Sequence, residues 1–171
     1  MIMSKKICVF LEDMVEDSEF LYPYMRLKEE GHDVVSVAPS KKVYQGKGGM
    51  QFKPDKDFSE VKDQEFDAVI IPGGYAPDRW RRDQEIIDFV KNHYDRGAIV
   101  ASVCHGPWLL ISAKIVKGKR VTAFPAIKDD LINAGAIYNG NDMEEDGNLI
   151  TSTNPNTMLP MIKRVVELLK W

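Results

Sequence analysis

The chain has 171 residues, 44% of them hydrophobic and 29% charged, with 23 Lys and Arg against 26 Asp and Glu for a formal net charge of −3. That make-up fits one globular domain over residues 1–171 with a sizeable core, and it carries no basic surplus for nucleic acid. No apolar run approaches the roughly 20 residues of a membrane helix. Two cysteines, Cys8 and Cys104, are too few for a disulfide framework and point to a reducing cytoplasm.

The opening stretch MIMSKKICVFLEDM has a lysine pair before apolar residues. Acids follow at once and no small-residue cleavage site appears, so it reads as a first strand over 6–11 and not as a signal peptide. A helical period runs from Val15 to Glu30 and closes on Gly31, with Pro23 either delaying its start or bending it. DVVSVAP (33–39) is a second strand, and VYQGKGGMQF (43–52) a glycine-broken hairpin. DFSEV (57–61) opens with a capping-box pattern, Asp57 and Glu60. DAVIIPGG (67–74) is a third buried strand running into a Pro-Gly-Gly turn. An amphipathic helix follows over 83–97, then a fourth strand over 98–103. A buried helix covers 106–114, with Pro107 in its first turn. Residues 119–124, 136–139 and 146–152 read as further strands, 126–135 as a short helix and 156–171 as a terminal helix.

Short apolar strands alternating with helices specify an α/β fold, a mostly parallel central sheet with helices on both faces. In open sheets of this kind ligands sit beyond the carboxyl ends of the strands. The positions that matter are therefore Glu12 and Asp13, Gly73 and Gly74, Cys104 and His105, Phe124, and Thr151 to Thr153.

Strand, then Cys104-His105-Gly106-Pro107, then helix has the pattern of a nucleophile elbow, with Ser102 and Gly106 as small neighbours. The helix N-terminus is expected to lower the thiol pKa and favour thiolate. His105 is placed to act as base if its ring folds back beside the sulfur, and a Cys–His pair needs a third group to fix the tautomer. His32 and His93 read as surface residues and Cys8 as core. Five acids crowd residues 12–19; of these Glu16 and Glu19 are three apart on one helix face. A carboxyl near Cys104 that stays protonated can donate to sulfur or act as general acid and base. The Gly73–Gly74 turn leaves N–H groups suited to an oxyanion hole. Three scattered histidines without Cys-x-x-Cys give no metal spacing, and no cofactor motif is present, so neither metal nor cofactor is expected.

The blocks EDSEFLYPYMRLKEEGHDV, FDAVIIPGGYAPDRWR, VASVCHGPWLLISA, IKDDLINAGA and DGNLITSTNP resemble, in order and over nearly the whole chain, the PfpI intracellular protease family. That family belongs to the group related to ThiJ and the class I glutamine amidotransferases. The resemblance implies a flavodoxin-like three-layer sandwich, Cys104 as nucleophile and His105 as its partner. It implies a third carboxylate, Asp78, supplied by a neighbouring subunit; the family usually has Glu there. Glu19 matches the carboxyl that hydrogen-bonds the cysteine, Glu16 a second pocket acid, and the N–H groups of Gly74 and His105 the oxyanion hole. Phe124 stands where relatives often have tyrosine and Thr153 where they commonly have arginine. Gly73 completes the pocket lining. A trans-supplied Asp78 requires a homo-oligomer, a dimer or a trimer of dimers.

Three functions follow in order. The first is a cysteine hydrolase acting on peptides. The second is a cofactor-independent glyoxalase III or deglycase acting on α-oxoaldehydes, with Glu19 shuttling protons. The third is a redox sensor or holding chaperone working through oxidation of Cys104. A glutaminase would need a histidine downstream of His105, and none occurs.

Overall fold

The computed structural model describes residues 3–170. Its main sheet is built from β1 (Lys6–Phe10), β2 (Asp33–Ala38), β5 (Lys56–Asp57), β6 (Ala68–Ile71), β7 (Ile99–Val103), β8 (Met143–Asp146) and β9 (Leu149–Ser152); β3 (Tyr44–Gln45) and β4 (Gln51–Phe52) form a separate hairpin. The order across the sheet is β5-β2-β1-β6-β7-β9-β8, all parallel except β8, which runs antiparallel to β9. From β1 the chain winds outward through β2 to β5. It then returns to β6 and winds the other way, so the strand order switches between β1 and β6. Clefts form at such switch points.

The helices are α1 (Asp17–Glu29), α2 (Phe58–Val61), α3 (Ala76–Trp80), α4 (Gln84–Asp95), α5 (Pro107–Ser112), α6 (Lys128–Asn133) and α7 (Pro155–Leu168). They cover the sheet on both faces, which is why Ile7 to Phe10 and Ala68 to Ile71 are buried without alternation. Trp80 packs edge-on against Phe10 at 5.5 Å between ring centroids. No helix among the described residues is long and apolar enough to cross a membrane.

Several expectations change. The first helix begins at Asp17, not Val15, because Val15 is bridged to Gly74; Pro23 is therefore internal to it. Residues 119–124 are not a strand. The edge of β9 that they would pair with is taken by β8, and the segment is held by scattered links, among them an Arg120–Ile137 bridge and the Thr122 N–H donating to Thr151 Oγ1 at 2.9 Å. Residues 136–139 likewise contribute only that bridge. The terminal helix ends at Leu168 and starts under an Asn154–Thr157 capping box.

His32 and His93 are buried, at 7% and 2% exposure, and not on the surface. Each supplies an acceptor that the backbone lacks. The Lys5 N–H donates to His32 Nδ1 at 3.1 Å and the Phe66 N–H to His93 Nε2 at 3.1 Å. Cys8 is buried and free.

Candidate active site

β7 ends at Val103, and the chain must turn at once to feed α5. Cys104 takes up that turn with a left-handed backbone, φ 61°. Non-glycine residues avoid this region, and surrounding structure must hold them there. Two backbone bonds do so: the Cys104 N–H donates to the Ser152 carbonyl at 3.0 Å, and its carbonyl accepts from the Phe124 N–H at 2.9 Å. The thiol is thus set above the carboxyl end of β7, with β9 on one side and β6 on the other.

Glycine 73 shows how closely the site groups meet. A Cβ there would stand 2.7 Å from Glu19 Oε1, 2.9 Å from Cys104 Cβ and 3.0 Å from the His105 nitrogen. Only glycine admits the three together. Its N–H donates to Glu19 Oε1 at 2.9 Å. Gly74 has φ 74°, and a side chain there would run into the backbone of Met14 and Glu16. The Gly74 and His105 N–H groups bear on the Cys104 sulfur, where both stabilise negative charge. These are the two amides expected as an oxyanion hole.

Glu19 is completely buried, and its second oxygen, Oε2, has no hydrogen-bond partner. Burial raises its pKa to about 7 against the pull of the Gly73 N–H, with the nearby Glu16 charge adding to the rise. The sulfur is pushed the other way from expectation. Burial first, then the Glu19 charge, raises the Cys104 thiol to about 12, against the lowering by the Gly74 and His105 amides and by Lys47. The six-residue helix α5 does not offset the loss of water, and the cysteine is a thiol at neutral pH. Two acids whose anions repel share one pocket, so a negative charge on either disfavours the other.

His105 Nδ1 lies 3.3 Å from Cys104 Sγ. Burial and then the Lys47 charge lower the imidazole pKa, so the ring is a neutral base. Within one chain the expected third group is not beside it: Asp78 is exposed on α3 and paired with Arg82. Glu16 is the residue preceding α1, not on its face with Glu19, and pairs with Lys47 Nζ at 3.2 Å. Phe124 stacks on His105 and stays partly exposed. Thr153 is buried, with its hydroxyl 2.9 Å from that of Thr157 in the α7 cap.

Lys47 is a site residue that the sequence reading does not single out, and Asp17, one of the five acids of residues 12–19, has a role there that it does not show. Lys47 sits at the turn of the β3–β4 hairpin, bound by its N–H to the Val15 carbonyl at 2.8 Å. The Asp17 carboxylate pins that turn by accepting from the Gly48 and Met50 N–H groups. The available signal was a lone lysine among three glycines, GKGG, opposite a first-turn acid. Among the described residues no cluster of three His, Cys, Asp or Glu could hold a metal ion.

A neutral thiol, a neutral imidazole, a near-neutral-pKa carboxyl and two free amides form a set able to attack a carbonyl carbon, hold the resulting oxyanion and move protons. Comparison with known proteins agrees in kind. The DJ-1/PfpI family matches residues 5–168. Deglycase PfpI of Pyrococcus furiosus is 41% identical, over 96% of this chain and 99% of its own. The putative cysteine protease YraA of Bacillus subtilis is 38% identical, over 98% and 100%. The crystal structure of Drosophila melanogaster DJ-1beta superposes with a TM-score of 0.93 at 27% identity, covering 98% of this chain and 91% of that one.

Proposed function

The chain belongs to the DJ-1/PfpI family, and from that premise we propose that it is a Cys104-dependent deglycase, acting on the adducts that α-oxoaldehydes form with amines. The observation that carries this reading is the unpartnered Oε2 of buried Glu19 beside Cys104, in a carboxyl with a pKa of about 7. Proton transfer between adjacent carbons needs a group that both gives and takes a proton at working pH, and efficiency is best when its pKa lies near that pH.

The steps run as follows. His105 Nδ1 takes the thiol proton as sulfur attacks the carbon bearing the amine, and the amine leaves with a proton. The product is a hemithioacetal on Cys104. Glu19 takes the proton from that carbon and returns it to the neighbouring carbonyl carbon by way of an enediol, while the hydroxyl proton passes to the former carbonyl oxygen, giving a 2-hydroxyacyl thioester. Water hydrolyses the thioester to a 2-hydroxy acid and restores the thiol. The Gly74 and His105 amides hold the oxyanion that develops in the proton-transfer and hydrolysis steps. The last step is a hydrolase step, so the same machinery supports a second reading, hydrolysis of peptides, favoured by the likeness to a putative cysteine protease.

A second copy of the chain completes the site in this proposal: its Asp78 replaces the Arg82 partner with His105 across a homo-oligomer interface, a dimer or trimer of dimers. The two cysteines, both free, suit a reducing cytoplasm. The test is a paired assay of methylglyoxal-treated amine and a peptide substrate on wild type and Cys104→Ala. Release of amine and lactate, lost by about 10³-fold or more in Cys104→Ala, supports the deglycase. Peptide cleavage alone selects the second reading. Turnover that survives Cys104→Ala sinks both.

A further inference from the structure

His105 carries no carboxylate partner within its own chain, yet its ring is not loose. Phe124 lies on one side, nearly parallel, with ring centroids 5.1 Å apart and planes at 26°. Trp108 meets the ring edge-on at 5.1 Å and 69°. Offset-stacked and edge-to-face pairs at these separations are favourable arrangements of aromatic rings. Both clamping rings are themselves anchored. The Trp108 indole N–H donates to Asp130 Oδ2 at 2.9 Å, and the Arg81 guanidinium lies over its face at 5.6 Å. Arg81 is held in turn by its Nε donating to Ser112 Oγ at 3.0 Å. The Phe124 N–H donates to the Cys104 carbonyl, the residue that carries the sulfur.

We propose that Phe124 and Trp108 form an aromatic clamp that orients His105 toward Cys104, with Phe124 as the positioning residue that replaces the orienting work of a carboxylate inside one protomer. This rests on the Cys–His reading above. The clamp has a chemical consequence that a carboxylate would not. A carboxylate against an imidazole stabilises imidazolium, whereas stacked hydrocarbon leaves the ring neutral and able to accept a proton from sulfur. Of the charged groups near the pair, Lys47 opposes imidazolium while favouring thiolate, and the Glu19 charge, the larger effect on the sulfur, opposes thiolate. A neutral thiol facing a neutral imidazole at 3.3 Å is the result. A second copy's Asp78 would then act on a ring already aimed.

The residue is also informative by its exposure. Phe124 is 39% exposed, so it is not needed to fill the core. Leucine at 124 keeps an apolar side chain over His105 but loses the stack.

The test is the rate of Cys104 alkylation by iodoacetamide between pH 6 and pH 10, in the intact chain. General-base assistance by a neutral imidazole gives a plateau near neutral pH, below the limb that climbs as the thiol itself ionises. In Phe124→Leu the plateau should fall about 3- to 10-fold, the loss of one aromatic pair, while the alkaline limb stays in place. Phe124→Tyr should restore the wild-type plateau. A purely structural role would move both limbs together or neither. His105→Gln separates the two layers of the argument. If it removes the plateau while Phe124→Leu leaves the plateau intact, the clamp is overturned and the Cys–His reading stands. If His105→Gln leaves the plateau untouched, the Cys–His reading falls and takes the clamp with it.

Discussion

At the amino ends of the strands His32 and His93 are buried, and each ring accepts a backbone N–H at 3.1 Å; His93 Nδ1 also lies 2.8 Å from the Phe89 carbonyl. At the carboxyl ends His105 faces a sulfur, and beside it Glu19 buries an oxygen with no partner. One end of the sheet uses imidazole to satisfy backbone groups that the strands leave over. The other leaves a carboxyl unsatisfied and a cysteine at positive φ, the kind of stored cost that marks a working site. Residue type does not separate these uses; the partner does.

The two ends also answer pH with opposite sign. Burial lowers the folded pKa values of His32 and His93. Their stabilising contribution is fully present above the unfolded value of roughly 6.5, and is lost as pH falls through the folded values. Glu19 is raised from 4.5 to about 7. Its contribution is fully present below 4.5 and is lost as pH rises through about 7.

The sharpest way to break this comparison is Glu19→Gln. Turnover of the oxoaldehyde adduct should fall by about 10²- to 10⁴-fold, the loss of general acid–base catalysis. The same variant should gain on wild type as pH rises. The difference in unfolding free energy between them should shift by about 2–3 kcal/mol in the variant's favour from pH 5 to pH 8. Denaturant titrations at those two pH values measure it. A difference that does not change with pH would mean that the Glu19 carboxyl ionises as readily folded as unfolded.

The opposite end gives the next effect. His93→Phe keeps a ring on the α4 face but strands the Phe66 N–H, at a cost of about 2 kcal/mol near pH 7.5. The deficit should shrink as pH falls below the ordinary histidine value of roughly 6.5, because unfolded wild type then takes up a proton that buried His93 resists. Turnover per folded molecule should be unchanged. A deficit that is constant across this range would mean that His93 takes up a proton as readily folded as unfolded.

The parallel order of the strands was legible because each central strand, such as AVII in β6, is a continuous apolar run bounded by turn residues, a local signal. So was the turn that bears Cys104, where strand, small residues and Pro107 stand consecutively. What escaped depends on contacts between distant segments. Residues 119–124 have the composition of a strand, but β8 folds back onto β9 and leaves no edge for them. The burial of His93 depends on its helix register against Phe66, 27 positions away. The thiol pKa departs from the sequence expectation because the helix N-terminus is visible in sequence, whereas the desolvation that outweighs it is not. Lys47 reaches the site through a hairpin that Asp17, 31 positions from Gly48, and the Val15 carbonyl hold in place.

The smallest effect belongs to His32, and the reason sharpens the comparison within its own end. His32 Nδ1 accepts from Lys5, while the Lys5 carbonyl accepts from the Asp33 N–H at 2.9 Å, so the imidazole is one of two links tying the start of β1 to the start of β2. His93 by contrast is engaged through both ring nitrogens. Loss of one of two links should cost less: His32→Ala is expected to lower stability by about 1 kcal/mol at pH 7.5. It should speed amide exchange at Lys6 and Ile7 more than at Val69, which lies across the sheet in β6. Exchange that quickens equally at all three would place the effect in global stability, and would remove the case that this histidine secures one strand end.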